Sequence, residues 1–124
     1  MTPRALWLPY QVADLAAATR FYAENLGLAP VDGWERRTER GVVLRAADAA
    51  YVELVTGTDL GGPAAAGSGD GAALLAFELS DRTAVDTAHI RSRAPGMPTA
   101  YPRGHRGFEL AGPAGARLLI WSEL

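Results

Sequence analysis

A strand that turns into a helix at one aspartate is the feature of this sequence that most constrains its fold. The segment before Asp14, ALWLPYQV, alternates its side chains as a β-strand does. Asp14 suits the N-cap, because its carboxylate can accept hydrogen bonds from free amides of the first helical turn. Gly27 can take the left-handed conformation that ends many helices, and Pro30 cannot continue one. The segment therefore predicts a strand followed by an amphipathic helix, whose apolar side is formed by Leu15, Ala18, Phe21, Tyr22 and Leu26.

The same plan recurs downstream in LLAFELSDRTAVDTAHIRSR, where Asp81 takes the role of Asp14. Strands are also predicted around residues 31–37, 41–46 and 50–56 in the first copy, and around residues 98–101, HRGFEL and ARLLIW in the second. The predicted fold class is α+β, with two βαβββ modules at about residues 4–56 and 72–124. Residues 57–71, rich in Gly, Ala and Pro, predict a flexible linker. A chain of 124 residues predicts a single domain.

The composition of the chain excludes several kinds of functional site and partner. The chain has no cysteine, which excludes disulfides, thiolate metal sites and cysteine nucleophiles. The net charge is −2 and no basic run occurs, so we expect no nucleic-acid partner. No apolar stretch is long enough to cross a bilayer, which predicts no membrane partner and a cytoplasmic location. The sequence also has neither a glycine-rich phosphate loop nor a Gly-x-Ser-x-Gly motif.

On the sheet faces that the helices cover, strand alternation places an expected core of Leu8, Tyr10, Val52, Leu54, Phe77, Leu118 and Ile120. It places a second set of side chains on the faces that the helices leave uncovered. This set combines flat aromatic rings with carboxylates, a wall that suits stacking and attracts cations. The candidate ligand-binding residues on these faces are Trp7, Gln11, Trp34, Tyr51, Glu53, Glu78, His105 and Trp121. The simpler interpretation is that the tryptophans fill space in the core or pack at an interface between subunits.

Four segments resemble the vicinal oxygen chelate superfamily, the group of glyoxalase I, extradiol dioxygenases, fosfomycin-resistance enzymes and bleomycin-binding proteins. They are VADLAAATRFYAENLGL, AYVELV, AFELSD and GHRGFELAGPAGARLLIW. The closing turn keeps only Pro113 and Gly115 of the superfamily's usual sequence there. The resemblance implies two βαβββ modules whose sheets curl into a cup, and a homodimer with a site in each cup.

The resemblance also indicates where metal-dependent members carry their ligands. The matching positions are Trp7, Glu53, Leu74 and Leu119, of which Glu53 alone offers a donor atom, whereas a divalent cation needs three or four. We therefore expect no metal and no other cofactor, and Leu74 and Leu119 join the predicted ligand wall. A shifted metal set of Glu53, Glu78, His105 and Glu109 is a weaker alternative, because His105 and Glu109 are expected near the solvated rim. His89, on the second predicted helix, is expected to be a surface or edge residue.

The leading hypothesis is a metal-independent protein that sequesters an aromatic small molecule, neutral or cationic, as antibiotic-binding members of the superfamily do. The first alternative is a metal-free isomerase, cyclase or lyase that uses Glu53 as general base. The second alternative is a dimeric scaffold with no small-molecule role. Residue patterns do not separate binding from turnover.

Overall fold

The computed structural model describes residues 2–57, 74–102 and 104–124, and the chain divides into two compact units, Met1–Gly71 and Ala72–Leu124. The first unit contains β1 (Leu6–Gln11), α1 (Leu15–Leu26), β2 (Ala29–Glu35), β3 (Glu39–Ala47) and β4 (Ala50–Gly57). The second contains β5 (Leu74–Glu78), α2 (Arg82–Ser92), β6 (Thr99–Ala100), β7 (His105–Ala111) and β8 (Arg117–Glu123). The predicted α+β class and the repeated βαβββ order are confirmed. That both units belong to one domain stays a prediction.

Each unit forms a four-stranded mixed sheet with the same strand order. The first sheet has the order β1-β4-β3-β2, and the second has β5-β8-β7-β6. The first and last strands of each unit pair in parallel, while the other neighbours are antiparallel. The internal repeat seen in the sequence is therefore a repeat of topology.

The ends of α1 are those that the sequence predicts. The N–H of Ala17 donates to Oδ1 of Asp14 at 3.0 Å, so the aspartate satisfies an amide that has no partner within the helix. Gly27 has φ 68° and donates its N–H to Ala23, as a left-handed C-cap does. Both caps are local consequences of residue type.

The core of the first unit lies between α1 and the sheet. Ala18 and Tyr22 of α1 are buried against the helix side of the sheet. The hydroxyls of Tyr10 and Tyr22 form a buried hydrogen bond of 2.6 Å, and burial raises the pKa of both phenols. Leu8, expected in this core, is only half-buried. The buried sheet residues on this side are Tyr10, Val12, Leu44, Val52 and Leu54.

The second unit is capped in the same way but ends its helix differently. The N–H of Ala84 donates to Oδ1 of Asp81 at 2.9 Å. Helix α2 ends at Ser92 because Arg93 takes the left-handed conformation with φ 59°. The helix packs on β7 and β8, where Leu118 and Ile120 are buried.

Two side chains of the second unit lie at intermediate depth. Phe77, expected in the core, is half-buried. His89, expected to be a surface or edge residue, is also half-buried: its ring meets Phe108 edge-on at 5.0 Å between centroids, and its Nε2 is buried. The reason is helical spacing, since His89 follows buried Val85 by one turn on the side of α2 that faces the sheet.

The predicted linker at residues 57–71 lies outside the described residues, apart from Gly57, which is the last residue of β4. Within the described ranges, no helix is long and apolar enough to span a membrane.

Candidate functional site

The side of the first sheet that faces away from α1 carries the predicted aromatic set. Parallel pairing sets Trp7 opposite Tyr51 and Pro9 opposite Glu53, so these side chains share one face. The register of β3 and β2 adds Val43 and Trp34 to that face. We call this surface, formed by Trp7, Trp34, Val43, Tyr51 and Glu53, the Trp7 face.

Trp7 and Tyr51 form a stacked pair on the Trp7 face. Their ring centroids are 4.6 Å apart, with 29° between the ring planes. Trp7 remains 49% exposed, whereas Tyr51 is half-buried. Part of the aromatic surface of the pair is therefore exposed to solvent and not buried in the core.

Trp34 is held in place by three neighbours. Its Nε1 donates to Oε2 of Glu53 at 3.2 Å, and its ring lies where a side chain at Gly41 would be. The guanidinium carbon of Arg36 lies 5.8 Å from the ring centroid, a cation–π contact. The indole thus fixes Glu53 and is less available for stacking than Trp7.

Glu53 keeps acceptor capacity after the bond to Trp34. Its Oε1 has no hydrogen-bond partner among the described residues. Glu53 follows Tyr51 by two residues on β4, which places the carboxylate about 7 Å along the strand from the stacked pair. Gln11 shares the face, and its Nε2 donates to the carbonyl of Gly57 at 3.4 Å, near the end of β4.

The matching face of the second sheet holds the remaining predicted residues. We call it the Trp121 face, formed by Leu74, Glu78, His105, Glu109, Leu119 and Trp121, as the strand registers require. Leu74 and Glu78 are exposed, and Leu119 and Trp121 are half-buried.

An imidazole is the centre of the aromatic cluster on the Trp121 face. His105 stacks on Tyr101 with centroids 4.8 Å apart and meets Trp121 edge-on at 5.2 Å. Its Nδ1 is buried and has no hydrogen-bond partner among the described residues. His105 therefore does not lie in the solvated rim, contrary to the expectation, because two rings cover it.

The donor atoms on these faces do not fit a divalent cation at the positions that the resemblance indicates. Trp7, Leu74 and Leu119 offer none, and Glu53 already accepts from Trp34. The shifted set of Glu53, Glu78, His105 and Glu109 does not fit a divalent cation either. Oε1 of Glu109 already accepts from Nη2 of Arg117 at 2.6 Å. In the part of the chain that the structure describes, no three His, Asp or Glu side chains are close enough to share a metal.

Two grooves in the first unit lie away from the aromatic pair. One, of about 420 Å³, is at the β2–β3 hairpin between Glu35 and Arg40. The other, of about 640 Å³, runs beside α1 on the opposite side of the sheet. Neither is lined by Trp7, Tyr51 or Glu53.

The fold and the sequence together assign the family. The family model described as Glyoxalase/Bleomycin resistance protein/Dioxygenase superfamily matches residues 4–116. The chain belongs to the glyoxalase/bleomycin resistance protein/dioxygenase superfamily. No curated protein matches it in sequence.

Solved structures of this superfamily share the fold at low identity. A glyoxalase/bleomycin resistance protein/dioxygenase from Nocardioides is 25% identical with a TM-score of 0.73, over 100% of this chain and 85% of that one. A domain of the same description from Frankia sp. EAN1pec is 17% identical with a TM-score of 0.78, over 100% of this chain and 93% of that one. A glyoxalase I mutant from Zea mays is 16% identical with a TM-score of 0.71, over 94% of this chain and 46% of that one.

Superfamily membership does not decide between catalysis and binding, because the members include enzymes and binding proteins. The choice between catalysis and binding therefore depends on the side chains specific to this chain.

The sequence did not predict Gly41, Val43 and Tyr101 as parts of the two faces. Gly41 and Val43 could have been found from the antiparallel register of β3 with β4. Tyr101 ends the strand predicted around residues 98–101, but it follows β6 (Thr99–Ala100) in the structure, so strand alternation did not assign it to a face.

Proposed function

We propose that this superfamily member binds a flat aromatic small molecule on the Trp7 face and prefers a ligand with a positive charge. The observation that carries the proposal is the stacked pair of Trp7 and Tyr51, in which a large indole stays half exposed. A half-exposed indole that stacks on a half-buried tyrosine leaves aromatic surface available to a ligand.

Stacking and charge favour the same ligand. A ring laid on the exposed indole gains offset-stacking energy of about 0.5–1.5 kcal/mol beyond its burial. A cationic ring gains more, because the indole face attracts positive charge and Glu53 supplies a carboxylate on the same face. Trp34 supports this by fixing the Glu53 side chain in one orientation.

We also propose that binding requires no metal or other cofactor. Trp7, Leu74 and Leu119 replace donor residues at the positions where metal-dependent relatives hold their ligands. The proposal rests on the chemistry of these side chains, since indole and isobutyl groups do not coordinate cations.

Turnover by Glu53 is the second candidate. The observation that favours it is the unpartnered Oε1, which leaves the carboxylate able to accept a proton from a molecule on the Trp7 face. The reaction class would be a metal-free isomerisation, cyclisation or elimination. A dimeric scaffold without a ligand stays the third alternative.

A matched pair of probes tests the binding proposal. N-methylquinolinium and neutral quinoline have nearly the same ring area and differ in charge, and isothermal titration calorimetry measures the affinity of each. We expect the cation to bind more tightly than quinoline, and Trp7→Ala to weaken it by about 1–3 kcal/mol, or about 5- to 150-fold. Ile90→Ala is the control, because Ile90 is 76% exposed and lies on α2. Unchanged affinity in Trp7→Ala would refute the proposal.

A further inference from the structure

The groove of about 640 Å³ lies on the helix side of the first sheet, and we call it the α1 groove. Helix α1 packs on β3 and β4, and Pro30 of the edge strand β2, which lines the groove, is exposed. The part of α1 that lines the groove carries two alanines, which are too small to fill the space beside the strand. The apolar lining residues are Ala13, Leu15, Ala16, Ala23, Pro30 and Val42.

Two arginines line this apolar groove from different elements. Arg20 projects from α1, and Arg40 lies two residues before Val42 on the same face of β3. Among the described residues, neither guanidinium has a hydrogen-bond or ion-pair partner. Asp14 is the carboxylate among the lining residues, and it already accepts from the Ala17 amide. The groove therefore combines an apolar floor with two guanidinium groups that form no ion pair among the described residues, and two arginines against one aspartate leave its lining net positive.

We propose that the α1 groove binds a small amphipathic anion, such as a medium-chain carboxylate. Its apolar body would cover Val42 and the two alanines, and its anionic group would accept hydrogen bonds from Arg20 and Arg40. The volume lies in the range of small-molecule sites, about 300–1,000 Å³. Two arginines on a chain with a net charge of −2 are too few for a nucleic-acid surface.

This site is independent of the proposed function. Val42 and Arg40 alternate along β3 with Gly41 and Val43, so the groove and the Trp7 face lie on opposite sides of one sheet. A ligand in the groove and an aromatic molecule on the Trp7 face would not compete for a residue.

Decanoate and the decyltrimethylammonium cation test the proposal as probes of equal chain length and opposite charge. Isothermal titration calorimetry with the full chain carrying Trp7→Ala, which removes the indole that could bind a quaternary ammonium group, should show binding of decanoate, weaker at high salt, and no binding of the cation. Arg20→Gln and Arg40→Gln should each weaken decanoate binding about tenfold or more. Arg91→Gln, an exposed arginine of α2, should leave the affinity unchanged.

Ala23→Phe separates loss of the groove from loss of the fold. Ala23 is exposed on α1, so the larger ring should fill the groove and abolish decanoate binding while the melting temperature stays close to that of the parent. Trp7→Ala should leave decanoate binding intact, which separates failure of this site from failure of the Trp7 face. Full affinity in both arginine variants would overturn the proposal, as would equal binding of the cation. Absence of decanoate binding together with an Ala23→Phe variant that changes the oligomeric state would assign the groove to a second copy instead.

Discussion

The indole nitrogen of Trp34 lies 3.2 Å from Oε2 of Glu53, and the indole crosses Gly41 to reach it. Trp34 is on the edge strand β2, Gly41 on β3 and Glu53 on β4, so the hydrogen bond spans three strands. A Cβ at residue 41 would lie 2.4 Å from atoms of the ring. Gly41 is therefore required by close approach and not by its backbone conformation.

Gly41→Ala is expected to displace the Trp34 ring and break its bond to Glu53. The overpacking should cost about 1–3 kcal/mol in the free energy of unfolding, measured by urea denaturation, and should change the near-UV circular dichroism of the tryptophan. Gly33→Ala is the matched control, because a Cβ there meets only the Gly41 carbonyl oxygen at 3.5 Å. Equal losses in the two variants would show that the ring does not occupy this space.

Glu53→Gln separates binding from turnover, since it keeps the shape and an acceptor for Trp34 but removes the charge. In a binding protein, Glu53→Gln should weaken the binding of N-methylquinolinium and remove the salt dependence of that affinity, while the affinity for quinoline should change little. In an enzyme it should abolish product formation while substrate binding persists. Product analysis by mass spectrometry on any natural aromatic ligand that binds gives the second readout.

Removal of the two hydroxyls of the Tyr10–Tyr22 pair should affect stability in a non-additive way. Tyr22→Phe leaves the Tyr10 hydroxyl buried without its partner, at a cost of about 1–3 kcal/mol in the free energy of unfolding. The double variant Tyr10→Phe/Tyr22→Phe should cost less than the sum of the single variants, because no orphaned hydroxyl remains. Additive losses would mean that the two hydroxyls do not interact.

The same pair predicts loss of stability in alkali. Burial raises the folded-state pKa of Tyr10 and Tyr22 above the usual value of 10.0, so the unfolded chain releases its phenolic protons first. This contribution to stability is complete below pH 10 and declines as the pH rises above it. Urea denaturation between pH 9 and about pH 11 should show a steeper decline in the parent than in the double phenylalanine variant.

Purified protein should contain no stoichiometric transition metal. The expected result follows from the side chains of Trp7, Leu74 and Leu119, which offer no donors. Elemental analysis after mild chelation measures the content, with Glu53→Gln as the comparison, because Glu53 is the one donor at these positions. One tightly held metal per chain in the parent, lost in Glu53→Gln, would contradict this prediction.

The protein should be a homodimer with β1 near the interface. Leu6 is 70% exposed on this edge strand, and edge strands and apolar side chains are commonly covered by a partner. Leu6→Asp should therefore shift sedimentation at micromolar concentration toward the monomer. Ile90→Asp, which introduces the same charge at an exposed apolar position of α2, should not. A monomeric parent would count against the dimer.

Local chemistry explains why so much of the fold was predictable. The aspartate caps of both helices depend on hydrogen bonds three residues apart, which the sequence specifies directly. Strand alternation in the sequence likewise predicted, without knowledge of strand pairing, that Trp7, Tyr51 and Glu53 share one face. The degree of burial was predicted less well from the sequence. Leu8 and Phe77 alternate as core residues should but are only half-buried, because the burial of a side chain depends on what packs over it.

The sequence by itself determined the repeated βαβββ plan, the helix ends and the face on which each strand residue lies, since these follow from local hydrogen bonding and periodicity. Tertiary structure alone decided that Trp34 crosses Gly41 to reach Glu53, that Tyr10 meets Tyr22, and that His105 lies between two rings. Trp34 and Glu53 are 19 residues apart in the chain. Their contact exists only once strand order and register are fixed, and those are set by how the whole sheet buries its apolar side.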